Sequence, residues 1–390
     1  MLLSVRRLPE LYFLLALAVF CLSAYFNMGA MEGVPGSSLS RPLSGLAFFV
    51  WLFSLAKLSV PGYVLHKPPT IILLVMLFCC WSAIPTTLAP SRTFFDTVLN
   101  VIMTLFPMIT LYVTYNTVLN DGRSRWHSWL FVFMVFVYVF QYVNVFGYVN
   151  MFASNHLICS YYTLYMLPLV FLNKSKTVRI VMGIVVSITL FTSVKRAGVL
   201  ALAASLPVYI FTNQYVNKKL KASSIVISLL LIAAIAGLFF FLGTMGEDNI
   251  FERFENIGND GGSGRTQVWS KAYKLIADLD FFPLLTGNGY NAVVRDSPVQ
   301  LSAHNDFLEV AYDYGLIGLT LYLGVFLSIG LYVLQLLRRK SPLAPSAAMM
   351  FTLYFILSMI SHIIIYYWAN IVMMTYGYIM ALDRRDGRVT

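Results

Sequence analysis

Charged residues are scarce in this chain. Asp, Glu, Lys and Arg make up 11% of its 390 residues, whereas hydrophobic residues make up 59%. A soluble domain carries about 25% charged residues, so the composition excludes an ordinary soluble protein. Long apolar stretches are present instead, and crossing a bilayer takes roughly 20 such residues. The composition therefore predicts a single domain, 1–390, embedded in a lipid bilayer.

Several chemical motifs are also missing. Gly287-Asn-Gly289 lacks the Lys-Ser/Thr that would make it a Walker loop, and no His-Glu-x-x-His or Cys-x-x-Cys pattern occurs. The four cysteines lie in apolar stretches, which indicates buried small hydrophobic residues rather than a disulfide framework. No early outer loop holds an Asp-x-Asp pair. The sequence thus predicts neither a metal nor a cofactor.

About a dozen apolar stretches predict an all-α membrane protein with about 12 transmembrane helices. We predict these spans at 11–28, 42–60, 69–88, 95–115, 127–147, 156–173, 178–192, 197–212, 224–243, 305–337, 346–364 and 368–382. The last two are also compatible with one bent hairpin.

The net charge of +10 invites a nucleic-acid-binding interpretation, but the distribution of the charge argues against it. Basic residues cluster in alternate loops, as the positive-inside rule requires. We assign the charge to topology and expect no nucleic-acid partner. The pattern places both termini in the cytoplasm of a multi-pass inner-membrane protein.

This topology puts one large loop, 244–304, on the periplasmic side, between the ninth and tenth helices. The loop is too long for a bare connector, which favours a functional element over a cavity. Within it, Trp269, Tyr273 and Ile276 recur at helical spacing and predict an amphipathic helix at about 265–279.

Cations and one histidine at the outer face are the candidates for chemistry. Lys195 and Arg196 break the positive-inside pattern at the start of the eighth span, where a helix N-terminus favours a phosphate. Arg265 follows a glycine-rich stretch and is able to bind an anion bidentately. We expect His304 in the first turn of the tenth span, where the helix dipole keeps it neutral and able to accept a proton. By spacing alone, His362 is nearly as good a candidate.

Four short motifs, in order, give the chain a family resemblance. They are Ser193-Val-Lys-Arg196, Gly264-Arg-Thr-Gln-Val-Trp269, Pro283-Leu-Leu-Thr-Gly-Asn-Gly289 and Ala303-His-Asn-Asp-Phe-Leu308, with Tyr314-Gly-Leu-Ile-Gly318 soon after. This order resembles the O-antigen ligase and O-antigen polymerase superfamily of bacterial membrane glycosyltransferases.

The resemblance implies a fold of the GT-C type and a metal-independent, inverting transfer from a glycan linked to undecaprenyl pyrophosphate. Arg196 and Arg265 match the family arginines thought to hold the donor pyrophosphate. His304 matches the family histidine thought to activate the acceptor hydroxyl. Further site candidates, below these three, are Lys195, Arg92, Arg253 and Asn305.

Three functions stay open on the sequence. A polymerase joins one lipid-linked repeat unit to another, and surplus outer cations favour it because it must hold two pyrophosphates. A ligase instead moves the finished polymer to lipid A-core. A lipid-linked glycan transporter is the non-enzyme alternative, but its ions should lie near the bilayer midplane. A chain-length-regulating co-polymerase is an expected partner of a polymerase.

Overall fold

The computed structural model describes residues 8–35, 37–55, 63–90, 93–121, 125–152, 157–193, 195–218, 265–298, 300–364 and 367–387. Within these ranges every regular element is a helix. Fifteen α-helices are present there: α1 Leu8–Met31, α2 Ser40–Phe53, α3 Thr70–Leu88, α4 Phe94–Asp121, α5 Arg125–Phe152, α6 Tyr161–Phe171, α7 Lys176–Thr192, α8 Arg196–Val216, α9 Arg265–Ala277, α10 Phe281–Thr286, α11 Ala292–Asp296, α12 Asp306–Asp313, α13 Gly315–Arg338, α14 Ala344–Ile360 and α15 Ala369–Asp386. The predicted all-α membrane fold is confirmed.

Six of these helices are long and apolar enough to cross a membrane: α1, α3, α4, α5, α8 and α13. Shorter apolar helices at Ile158–Phe171 and Ala344–Ile360 accompany them. The predicted ninth span, 224–243, lies outside the described residues. The count of about 12 spans stays a prediction, whereas the 346–382 region does form two helices, α14 and α15.

The chain divides into two compact units. The first unit holds residues 1–73, 105–189 and 367–390, and the second holds residues 74–104 and 190–366. The sequence predicted a single domain, 1–390, and that organisation stays a prediction.

The first unit encloses helices that are apolar on all sides. Every residue of α6 is buried, as expected for a helix without a polar face. On α5, by contrast, Trp129, Phe133, Phe136 and Phe140 are exposed along one side at spacings of three and four residues. An exposed apolar stripe of this length suits contact with lipid.

In the second unit, α8 and α14 form a packed pair, and α13 is in contact with three other helices. Helix α8 packs along α14, and α13 packs against α10, α12 and α14. Leu323, Leu327, Leu331 and Leu334 leave an exposed apolar stripe on α13, again one that suits lipid. The remaining short helices, α9 and α11, pack against α12.

The predicted amphipathic helix of the large loop exists as α9. Of the three residues on its predicted apolar face, Trp269 and Ile276 are partly buried and Tyr273 is exposed. Tyr273 is 67% exposed, whereas the neighbouring Ala272 is buried in a cluster that Leu275 and Ile276 also contact. A small side chain at Ala272 permits close packing, and the Tyr273 ring with its hydroxyl is able to remain in contact with water. The first part of the loop, 244–264, lies outside the described residues, and the rest contains α9, α10 and α11.

The predicted tenth span, 305–337, is wrong as one continuous helix. Helix α12 ends at Asp313 and α13 begins at Gly315, and only α13 has the length and composition of a membrane span. The break occurs because Gly315 adopts a φ of +70°, a left-handed conformation that glycine takes without strain. A short helix therefore precedes the span and carries polar residues that a membrane span would exclude.

Candidate active site

Three acidic residues on α12 are fully buried: Asp306, Glu309 and Asp313. Spacings of three and four residues place them on one side of the helix. Carboxylates are rarely buried unless hydrogen bonds compensate for lost water, so their partners explain the local structure.

Asp306 holds the segment after α14 in place through hydrogen bonds. Its Oδ1 accepts hydrogen bonds from the backbone N–H groups of Ile363 at 2.8 Å and Ile364 at 3.3 Å. Its Oδ2 accepts from the hydroxyls of Tyr322 at 2.8 Å and Ser358 at 2.7 Å. Burial raises the pKa of Asp306 to about 6, while these donors oppose the rise by stabilising the carboxylate.

Asp313 and Glu309 form hydrogen bonds to two other segments, at 291–293 and at Ala303. Asp313 accepts from the N–H groups of Asn291 at 2.8 Å and Val293 at 3.1 Å, one to each oxygen, which favours the ionised form. Glu309 Oε1 accepts from the N–H of Ala303, whereas its buried Oε2 has no hydrogen-bond partner. Burial raises the pKa of both carboxyls: that of Asp313 to about 8, opposed by its N–H donors, and that of Glu309 well above its usual range, opposed only by the N–H of Ala303. Because the N–H donors are concentrated at Asp313, we assign the proton of the pair to Glu309.

The Gly287-Asn-Gly289 segment packs against the α12–α13 break. The N–H of Asn288 donates to Tyr312 O at 3.1 Å, and that of Gly289 donates to Asp313 O at 2.7 Å. A Cβ added at Gly287 would lie 2.3 Å from Asp313 O, so no larger residue fits without a shift. The hydrogen-bonded turn of this region lies at 289–292, slightly later than predicted, where the N–H of Ala292 donates to Gly289 O at 3.2 Å. The glycine motifs of 283–289 and 314–318 meet each other here.

His304 lies just before α12, and hydrogen bonds fix both of its neighbours in the chain, Ala303 and Asn305. The N–H of Ala303 is bound by Glu309, and Asn305 caps the helix by accepting from the N–H groups of Phe307 and Leu308. His304 itself adopts a left-handed φ of 51°, which is uncommon for a residue with a side chain. The prediction that His304 sits in the first turn of a membrane span is therefore wrong.

The His304 ring contacts a second imidazole. Its Nδ1 lies 3.1 Å from Nδ1 of His362, and the two ring planes are 20° apart. Ser302 Oγ lies 3.0 Å from the same His362 nitrogen. His362 is buried, whereas His304 is only partly buried, so His304 is the ring that is able to meet a substrate.

The electrostatics keep His304 neutral, although the main cause differs from the predicted helix dipole. Burial, assisted by the positive charges of Arg265 and Lys195, lowers the pKa of His304 to about 4. Burial lowers the pKa of His362 well below its usual value, with contributions from His304, Lys195 and Arg265. The charges of Lys195 and Arg265, from two other sequence motifs, thus act on His304.

The other predicted site residues are placed as follows. Arg196 is the first residue of α8, directly after Lys195, which precedes the helix in extended conformation. Asn305 uses its side chain for the α12 cap and for a bond to Met359 O at 3.1 Å. Arg92 and Arg253 lie outside the described residues, and all these site assignments stay predictions.

The sequence reasoning gave no role to the three carboxylates or to Ser302. A signal was available: three acids within eight residues of a predicted membrane span are costly in lipid and should have indicated a separate helix. Across the part of the chain that the structure describes, no three His, Cys, Asp or Glu side chains are grouped as a metal site would need. The expectation of a metal-independent reaction stays a prediction.

Comparison with known families bears directly on this geometry. Residues 181–323 match the family described as O-antigen ligase, and this segment includes Lys195, Arg196, Arg265 and His304. This match supports the resemblance of the chain to the O-antigen ligase and polymerase superfamily.

The match to this glycosyltransferase-like family, together with the membrane helices, supports a membrane enzyme. No curated protein matches the chain significantly. His362 and the segment that Asp306 holds in place lie beyond the matched residues, so the structure, rather than the family match, connects them to His304.

Proposed function

We propose that this protein is a polysaccharide polymerase of the bacterial inner membrane. It transfers a glycan from undecaprenyl pyrophosphate to a sugar hydroxyl of another lipid-linked repeat unit. The observation that supports the proposal most directly is the partly buried His304, whose Nδ1 contacts His362 and on which the positive charges of Lys195 and Arg265 act. We place this site on the periplasmic face and both termini in the cytoplasm, following the charge pattern of the loops.

The proposed reaction is a single inverting displacement. His304 accepts the proton of the acceptor hydroxyl, whose oxygen forms the new bond to the anomeric carbon. The bond between that carbon and the pyrophosphate oxygen breaks, and the pyrophosphate leaves with the electron pair. Fixed cations are able to stabilise the leaving charge, and we assign this role to Arg196 and Arg265, assisted by Lys195. A base positioned at the hydroxyl contributes about 10²–10⁴-fold.

A ligase is the second candidate, because the matching family is described as O-antigen ligase. Such an enzyme would use the same donor and the same histidine but would deliver the polymer to lipid A-core. The two functions differ only in the acceptor, so the acceptor decides between them.

The test uses the purified full-length protein in liposomes, supplied with lipid-linked repeat units alone. Chain growth without lipid A-core supports the polymerase, whereas transfer only after core is added identifies a ligase. No transfer to either acceptor would overturn the enzymatic proposal.

The same assay tests the residues. We expect His304→Ala, Arg196→Ala and Arg265→Ala to abolish transfer while the protein still inserts into the membrane. Arg338→Ala, at the opposite end of α13 from the break, is the control for losing an arginine and should retain transfer. Full activity of His304→Ala would eliminate its assignment as the base.

A further inference from the structure

We propose that His362 is a positioning residue that sets the tautomer and orientation of His304. The inference rests on the proposed function, because it concerns the base of that reaction. It comes from the contact between the two Nδ1 atoms at 3.1 Å, with ring planes 20° apart.

The contact allows only one proton between the two nitrogens. A neutral imidazole carries hydrogen on one nitrogen and a lone pair on the other. One Nδ1 must therefore donate while its partner accepts. If His304 is to accept a proton at Nε2, then its Nδ1 must carry the hydrogen, and Nδ1 of His362 must be the acceptor.

Ser302 is compatible with this arrangement. Its Oγ lies 3.0 Å from Nδ1 of His362, and a hydroxyl is able either to donate to a bare nitrogen or to accept from an N–H. In the tautomer proposed for His362 the hydroxyl is a donor. His362 is fully buried and cannot meet a sugar hydroxyl, so its role is to act through His304.

The contact also helps His304 after proton transfer. Imidazolium at His304 keeps its Nδ1–H pointed at His362, and a hydrogen bond from a charged donor is roughly twice as strong as a neutral one. Protonation of His304 is disfavoured by the positive charges of Arg265 and Lys195 and by the burial of both rings. His362 therefore offsets part of the penalty for charging His304 in this environment.

The experiment compares two substitutions at His362. His362→Leu removes the acceptor, whereas in His362→Asn an amide oxygen takes the approximate place of Nδ1. We expect His362→Leu to lower kcat by about 10- to 100-fold, less than the about 10²–10⁴-fold that a general base contributes because His304 itself remains, with KM for the lipid-linked donor within about twofold. His362→Asn should recover at least about tenfold of that loss. His127→Leu, which removes a buried imidazole from the first unit, should leave kcat unchanged.

A spectroscopic readout separates positioning from packing. With only five histidines in the chain, ¹⁵N-histidine NMR is able to assign His304 by comparison with His304→Gln. At neutral pH we expect hydrogen on Nδ1 and none on Nε2 in the wild type, and a shift toward the Nε2–H form in His362→Leu. Equal tautomer populations in these two proteins would overturn the inference.

The kinetic pH profile adds a second check. Loss of the acceptor destabilises imidazolium at His304, so the acidic limb of the kcat/KM profile should move to lower pH in His362→Leu. An unchanged limb with an unchanged kcat contradicts the inference. If the wild type transfers no glycan at all, the proposed function fails, and the NMR tautomer alone decides the role of His362.

Discussion

Substitution of Gly315 by alanine should strongly destabilise the second unit. A Cβ at this position would lie 2.2 Å from Leu285 O and 2.7 Å from the backbone nitrogen of Gly287. Both neighbours are backbone atoms, so no flexible side chain is able to rotate away. Gly315 also has a φ of +70°, where an L-residue pays about 1–2 kcal/mol.

The expected magnitude combines two costs. Overpacking in a well-packed interior costs about 1–3 kcal/mol, and the left-handed backbone adds its own about 1–2 kcal/mol. Gly315→Ala should therefore lose about 2–5 kcal/mol, a large part of the about 5–15 kcal/mol by which proteins are stable.

Two other glycines separate these costs. Gly33 has the same φ of +70° but no atom within 4 Å of an added Cβ, so Gly33→Ala carries the backbone cost alone. Gly324 lies inside α13 with open space around it, so Gly324→Ala should be neutral or stabilise by about 0.5–1 kcal/mol.

The assay is thermal unfolding of the three variants in detergent, followed by intrinsic fluorescence. We expect the midpoint to fall most for Gly315→Ala, less for Gly33→Ala and not at all for Gly324→Ala. Equal midpoints for Gly315→Ala and Gly33→Ala would refute the close backbone contact between the 285–287 segment and the start of α13.

Three further outcomes are expected. Glu309→Gln should lower the free energy of unfolding by less than about 1 kcal/mol, because the neutral amide oxygen still accepts from the N–H of Ala303. Asp313→Asn should lower it by about 1–3 kcal/mol, because one backbone N–H then faces an amide NH₂. Chemical denaturation measures both losses, and equal losses would contradict the assignment of the charge. The rate of glycan transfer should be insensitive to pH between about 6 and 8. It should fall as the pH drops through about 4, since His304 is then protonated and no longer a base. A kcat/KM profile with its acidic limb near 6.5 would refute the lowered pKa. Asn305→Ala should destabilise by about 1–2 kcal/mol through loss of the α12 cap, measured by thermal unfolding, with Asn305→Asp less affected because it keeps the capping oxygen.

The sequence predicted the features that depend on local composition. Apolar runs indicated the membrane helices, and the Gly287-Asn-Gly289 pattern indicated a turn close to its actual place at 289–292. It also selected His304 and the two cations whose charges act on it, Lys195 and Arg265. These properties follow from charge and hydrophobicity read along the chain.

The remaining features depend on contacts across the chain. The break before Gly315 follows from packing against Leu285, about 30 residues earlier, which no window of sequence contains. The contact between His304 and His362 joins residues 58 positions apart. The exposure of Tyr273 on α9 was misjudged for the same reason, because it depends on which residue α12 packs against.

The hydrogen bonds that α12 makes to neighbouring segments have a consequence for sequence variation. Asp306, Glu309 and Asp313 accept from backbone N–H groups, and every amino acid except proline supplies such a group. These hydrogen bonds therefore do not depend on which side chain stands at the donor position, as long as none becomes proline. The donor positions are Asn291, Val293, Ala303, Ile363 and Ile364. What limits variation there is packing and backbone conformation, since Val293, Ala303 and Ile363 are buried and Asn291 has a left-handed φ of 58°. In α12, by contrast, the hydrogen bonds themselves require the three acidic side chains.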